Sequence, residues 1–357
     1  MALTLDGVRV RQRGHLWLDD IRLDLPTGLT TLIGPLGAGK TTLMRVAAGL
    51  LAPSEGRVLV GGRDVTGLPV RKRSVAFVYQ GFINYPSLTV YENIASPLRL
   101  AGGDRTGIDR RVREVAETMG LGALLERRPA ELSGGQQQRT AIARALARPV
   151  EVLLLDEPLA NLDYKLREQL RAELKSMFTG SSSVVLYSTS DPAEALTFAA
   201  PTVVLGEGRV RHVGDVNAMY DLPPTLAVAA TLSDPPLNLL PGVVREGRVE
   251  CLGDSFRLPR TLGTGTRVTV AIRPHQVALT RPSPVAIEAP AEVRLAEVTG
   301  GVTFLHLLVE GGRHLVAQLS GPRPFTPGER ASVYVDPAQV LVFDEAGRLL
   351  SGNGAHG

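Results

Sequence analysis

Leu29-Thr-Thr-Leu-Ile33-Gly34-Pro35-Leu36-Gly37-Ala38-Gly39-Lys40-Thr41-Thr42-Leu43 carries an apolar run into a glycine-rich turn and out again with helical spacing. The pattern G-x-x-x-x-G-K-T, behind a strand and ahead of a helix, reads as a phosphate loop. Its glycines let backbone N–H groups close around a β-phosphate, and the helix start adds its dipole. Lys40 is expected to reach the β- and γ-phosphates, and the Thr41 hydroxyl to ligate Mg²⁺. Leu43, Val46, Ala47 and Leu50 form the apolar helix face, with a stop across Gly49 to Pro53.

Further along, Val152-Leu-Leu-Leu-Asp156-Glu157-Pro158 places two adjacent carboxylates at the end of an apolar strand. Such a pair is costly without a cation and a polarised water, so Asp156 fits a Mg²⁺ shell and Glu157 a general base. This run and the later SSVVLYSTS bracket a polar helix from about Asp163 to Phe178. Strand, helix, strand implies a parallel sheet and an α/β fold. Residues 89–148 read as a helical insertion with breaks at Pro97 and Pro129. Within it, Leu132-Ser133-Gly134-Gly135-Gln136 precedes a helix beginning near Gln137 and offers a second set of free N–H groups. One nucleotide cannot lie in two phosphate cradles of the same globule.

That contradiction has a known resolution. LSGGQ between the glycine loop and the Asp-Glu strand, with Gln80 and Ala160-Asn161-Leu162-Asp163 in their places, resembles the ATP-binding cassette (ABC) ATPases over roughly residues 1–235. The resemblance implies a P-loop core with a parallel sheet, an antiparallel β subdomain and a helical subdomain at about 81–148. It implies ATP and Mg²⁺ as ligands, and subunits paired head to tail. Each ATP is then held between one subunit's loop, Gly34 to Thr42 here, and the other's signature, Ser133 to Gln136 here. By the same resemblance Gln80 senses Mg²⁺ and the attacking water, while Asn161 and Asp163 contact the opposite subunit. The segment Phe82 to Leu88 is expected to meet the coupling helix of a membrane permease.

Two positions depart from the family. Its switch histidine normally follows the second buried strand, where this chain has Tyr187-Ser-Thr189-Ser190-Asp191. Serine at 190 is too short to hold a γ-phosphate and carries no imidazole charge. By analogy with losing one transition-state donor, hydrolysis is expected to fall ~10²- to 10³-fold. The family also stacks an aromatic ring on adenine, and that position falls near Gln12, with His15 or Trp17 as substitutes and Trp17 expected in the core. An asymmetric heterodimer, with this chain's own site the weak one, accounts for the serine. The alternatives are a symmetric homodimer or a regulatory clamp with little hydrolysis.

From about Pro235 the texture changes to short β-like runs between Gly and Pro, around Ala271-Ile-Arg273-Pro274-His275. Residues 236–350 are expected to form a separate all-β unit resembling the OB-like (TOBE-type) domain of carbohydrate-importer ATPases. LSDPPLNLLPG is the expected linker, and 351–357 a disordered tail. Several stretches resemble one of the paired ATPases of bacterial glycerol importers. Sugar, glycerol-phosphate and polyamine importers stay open, because an ATPase subunit does not touch the cargo.

The 357 residues carry a net charge of only +3, which argues against nucleic acid as a partner. One cysteine, Cys251, cannot make an internal disulfide. No leader or membrane-spanning run is expected. The expected location is therefore the cytoplasmic face of the membrane, attached through permease subunits and indirectly served by an extracytoplasmic solute-binding protein. A soluble ABC protein of translation or DNA repair would need tandem ATPase units or a long coiled-coil insertion, and the chain has neither.

Overall fold

The computed structural model describes residues 1–81, 83–160, 162–258 and 262–352. The chain divides into two compact units, Met1–Val216 and Asn217–Gly357. In the first, strands β1 (Ala2–Gln12), β2 (His15–Pro26), β3 (Gly28–Ile33), β4 (Glu55–Val60) and β5 (Arg63–Asp64) surround helix α1 (Lys40–Ala48). There follow β6 (Val75–Val78), α2 (Val90–Leu100), α3 (Arg105–Thr118), α4 (Gly134–Ala147), β7 (Val152–Asp156) and α5 (Tyr164–Phe178). β8 (Val184–Thr189), α6 (Pro192–Phe198), β9 (Pro201–Gly206) and β10 (Arg209–Asp215) complete it.

β2-β1-β4-β5 form an antiparallel sheet, and β10-β9-β3-β8-β7-β6 a mixed one in which β9, β3, β8, β7 and β6 run parallel. β7 is buried along its whole length, as a central parallel strand must be. Alternation then assigns its side chains to opposite layers. Val152 and Leu154 pack with Leu43, Met44 and Val46 of α1. Leu153 and Leu155 pack with Leu170, Leu174 and Phe178 of α5 and with the helical insertion. The Asp163 carboxylate caps α5 by accepting from the Leu166 amide at 3.0 Å.

Pro97 is not the break expected of it. It lies inside α2, which runs on to Leu100. A proline ring cannot donate to the carbonyl four residues back. Here that carbonyl, on Asn93, accepts from the Ser96 hydroxyl at 2.8 Å instead. Thr89 and Glu92 close the start of the same helix with a capping box.

The second unit opens with α7 (Val216–Asp221), which straddles the division, and α8 (Leu226–Thr231). Its strands are β11 (Asn238–Arg245), β12 (Arg248–Cys251), β13 (Asp254–Arg257), β14 (Arg267–Ile272), β15 (Val277–Ala278) and β16 (Ile287–Val298). β17 (Val302–Val309), β18 (Arg313–Ser320), β19 (Arg330–Val335), β20 (Leu341–Phe343) and β21 (Leu349–Ser351) follow. They build two antiparallel sheets, β13-β12-β11-β14-β20-β21 and β15-β19-β16-β17-β18, around a shared apolar core.

The division comes earlier than the boundary expected at 235/236. Ala229 and Leu226 of α8 pack against Ala271, Leu341 and Phe343, which commits α8 to the β unit. The stretch expected as a linker is likewise structured. Asn238, at the start of β11, is buried, donates to the Val316 carbonyl at 2.9 Å and accepts from its amide at 2.7 Å. Ser351 ends β21, and residues 353–357 of the expected tail lie outside the described residues. Cys251 is buried, and burial pushes its thiol up to about 11.

Glu194, in the first turn of α6, is buried, accepts from the Tyr187 hydroxyl at 3.0 Å, and has its carboxyl raised above the ordinary 4.5 by that burial. The folded chain therefore binds this proton more tightly than the unfolded chain. Stability falls as pH rises from about 4.5 through the raised value, and stays lower above it. Glu194→Gln, which keeps an acceptor for Tyr187 without the charge, should raise the urea midpoint at pH 8. The gain should vanish near pH 4.5.

Candidate functional site

The site forms at the carboxyl ends of β3, β8 and β7, where open parallel sheets place their ligands. The backbone leaves β3 through a loop in which Gly37 and Gly39 take φ of 81° and 102°, conformations that exclude most side chains. A Cβ on Gly39 would sit 3.1 Å from the Trp17 carbonyl and 3.0 Å from Leu18 Cδ2. The loop thus turns tightly against β2 as it leads into α1. Leu36 is 92% exposed at its crest, and Ala38 is buried beneath. Thr41 is exposed and Thr42 half-buried in the first turn of α1.

Lys40 is 6% exposed, and its ammonium finds three acceptors. Nζ donates to the Gly34 carbonyl at 2.6 Å and the Pro35 carbonyl at 3.2 Å, and stands 3.3 Å from Glu157 Oε1. All three of its protons have partners, which is what makes a buried ammonium tolerable. The other oxygen of Glu157 accepts from Gln80 Nε2 at 2.9 Å. Glu157 itself stands at φ +46°, a left-handed conformation that costs a non-glycine residue about 1–2 kcal/mol. Asp156 is 2% exposed, and its Oδ1 accepts from the Ser188 hydroxyl at 2.7 Å. Direct bonds thus gather Gly34, Pro35, Lys40, Gln80 and Glu157, with Asp156 adjoining.

The donor set suits a Mg²⁺–nucleotide ligand. The Thr41 hydroxyl, the free oxygen of Asp156 and the Gln80 amide are hard oxygen donors, the few protein ligands that Mg²⁺ takes beside phosphate oxygens and water. The carbonyls and carboxylate around Lys40 occupy the ammonium as phosphate oxygens would.

The signature forms a separate, self-closed group. α4 begins at Gly134, earlier than the start expected near Gln137, because Ser133 caps it. Ser133 Oγ accepts from the Gln136 amide at 3.3 Å, and Gln136 Oε1 accepts from the Ser133 amide at 2.9 Å. Ser133 and Gly134 are exposed, with Gly135 and Gln136 half-buried. Gln138 of the same helix donates to the Pro158 carbonyl and so joins α4 to the turn after Glu157. Asp163 caps α5, and Asn161 lies outside the described residues.

Ser190 is exposed just past β8. Gln12 ends β1 opposite His15. Trp17 is not in the core. Leu18 takes the buried side of β2, so Trp17 turns out, 41% exposed, with its ring edge-on to His15 at 4.5 Å. Phe82 is outside the described residues, while Ile83 and Tyr85 are exposed. A groove of ≈ 210 Å³ runs past Phe77, Tyr85, Leu100 and Arg144, with the Arg144 guanidinium 4.9 Å from the Tyr85 ring centre. Sequence reasoning missed Asn93. Its buried amide donates to the Tyr85 and Leu88 carbonyls at 3.1 Å and accepts from the Tyr85 amide at 2.8 Å. Asn84 also ties this loop to α4, donating to the Gln137 carbonyl at 2.8 Å.

The ABC transporter family matches residues 18–160, and the TOBE domain family residues 270–343. The chain is similar to the trehalose/maltose import ATP-binding protein MalK of Thermococcus litoralis, 38% identical over 333 residues, covering 88% of this chain and 89% of that protein. It is also similar to the sn-glycerol-3-phosphate import ATP-binding protein UgpC of Paracoccus denitrificans, 35% identical over 353 residues, covering 98% and 99% respectively. A solved ATP-binding cassette, a dimer in a post-hydrolysis state bound to ADP and Pi, superposes with a TM-score of 0.55 at 28% identity. The match covers 60% of this chain and 98% of that one.

Two glycine replacements separate the demands of the loop. Gly37→Ala faces open space at φ 81° and should cost about 1–2 kcal/mol of strain alone. Gly39→Ala meets β2 at φ 102° as well, and should lower the urea midpoint further.

Proposed function

This chain belongs to the ABC transporter ATP-binding family, and we propose that it energises a membrane importer for a small polyol or sugar, glycerol foremost, as one half of an asymmetric ATPase pair. The observation that carries this reading is the Lys40–Glu157–Gln80 cluster at the end of the glycine loop, intact beside a switch position occupied by Ser190. The relatives named for trehalose/maltose and for sn-glycerol-3-phosphate support the cargo class.

The chain's own groups define the steps. Lys40 exchanges the Gly34 and Pro35 carbonyls for phosphate oxygens, and the loop amides from Gly37 to Thr42 close around them. Mg²⁺, held by Thr41, Asp156 and Gln80, would offset phosphate charge. Glu157, released from Lys40, accepts a proton from the attacking water, and Gln80 orients that water. Ser190 supplies no imidazole to the γ-phosphate. Ser133 to Gln136 complete the partner's site, and Asp163, which caps α5, would contact the same partner. The exposed Trp17 and His15 rings offer adenine the aromatic surface that Gln12 does not.

No helix among the described residues is long and apolar enough to cross a membrane. The groove beside Tyr85 and Leu100 is read as the seat of a permease helix. Asn93 and Asn84 tie its loop to α2 and α4, so closing the pair moves the permease with the helical subdomain. The drive is the higher affinity of the closed pair for ATP, since a ligand shifts a conformational equilibrium only by differential affinity.

Steady-state ATPase activity is the test, measured for the chain alone and in complex with a second ATPase subunit and permease subunits of its transporter. The asymmetric reading expects the lone chain to be ~10²- to 10³-fold slower than the assembled complex. Glu157→Gln should barely slow the complex, and Ser190→His should raise turnover of the lone chain. Normal turnover alone that is abolished by Glu157→Gln would instead establish a symmetric homodimer.

A further inference from the structure

β8 lies between the strand that enters the phosphate loop and the strand that carries the two carboxylates. Near its carboxyl end, Ser188 pairs with Leu32 on one side and Asp156 on the other. Its side chain is wholly buried. The hydroxyl donates to Asp156 Oδ1 at 2.7 Å and accepts from the Glu157 amide at 3.1 Å. The same amide lies 3.2 Å from the Ser188 carbonyl, so one residue receives the Glu157 N–H twice. A hydroxyl has one proton and two lone pairs, so it can serve both neighbours at once.

We infer that Ser188 is a positioning residue for the reaction, orienting Asp156 toward the metal and holding the backbone at Glu157. The inference deepens the functional reading above and rests on it. With Oδ1 engaged by the hydroxyl, Asp156 presents its second oxygen to a cation. The carboxylate plane is fixed before any ligand arrives. With its amide held on Ser188, Glu157 keeps the left-handed turn at φ +46° that brings its oxygens to Lys40 and Gln80. Partners behind a metal ligand commonly change metal affinity or activity by about 10- to 100-fold when removed.

The test compares Ser188→Thr, which keeps the hydroxyl, with Ser188→Val, which has the same shape without it. Ser188→Ala removes the hydroxyl without added bulk. For each full-length variant, ATP affinity is measured by calorimetry in EDTA and in excess Mg²⁺. The Mg²⁺-dependent gain in affinity should survive in Ser188→Thr and fall about tenfold or more in Ser188→Val and Ser188→Ala, with affinity in EDTA unchanged. Where the wild-type chain shows the gain and Ser188→Val keeps it in full, the assignment to Ser188 is overturned while the functional reading stands. An affinity that falls equally in EDTA, in a variant whose circular dichroism matches the wild type, shows that Ser188 supports the nucleotide site as a whole rather than the metal ligand, and also overturns the assignment. A wild-type chain that binds no ATP under either condition overturns the functional reading and this inference together.

Discussion

One buried ammonium organises the phosphate end of the first unit. Lys40 is almost wholly withdrawn from water and needs three acceptors at once. Two are backbone carbonyls of its own loop, and the third is a carboxylate from a strand far away in sequence. The loop can supply the carbonyls only if it doubles back tightly, which sets the glycine conformations. The carboxylate can arrive only if β7 ends level with the loop, which sets the register of the parallel sheet. The side-chain layers on either face of β7 keep that register. Local chemistry and global packing thus impose the same geometry.

The central position of β8 adds a second constraint. Because it separates β3 from β7, a residue near the carboxyl end of β8 pairs with both the loop strand and the carboxylate strand. Ser188 uses that place to bond Asp156 and the amide of Glu157. Ser190 lies two residues on, past the strand end and in the open. Two serines so close in sequence therefore have unlike surroundings: one is enclosed in the sheet, and the other stands at the surface.

What the sequence disclosed was mostly what is local. The glycine loop, the paired carboxylates and the alternation of β and α elements are readable because each depends on a few neighbouring residues. What it concealed depends on contacts between distant residues. Ser188 meets Asp156 only through the register of β7 and β8, and no spacing rule encodes that. Pro97 reads as a break until Ser96 is seen to occupy the carbonyl that proline leaves unserved. Asn238 reads as linker until its amide pairs with Val316, a bond across much of the second unit. Trp17 reads as a core residue until the alternation of β2 gives the buried side to Leu18. The start of α4 reads as Gln137 until Ser133 and Gln136 are seen to bond each other and close the first turn.

That mutual bond at the head of α4 bears on kinetics. A helix start left open must be ordered by whatever docks there, and the entropy of ordering then slows and weakens the encounter. Here Ser133 and Gln136 have already settled the first turn, so Gly134, with open space beside it, is presented as a finished surface. A molecule arriving at it has only to collide in the right orientation; there is no segment left to fold around it.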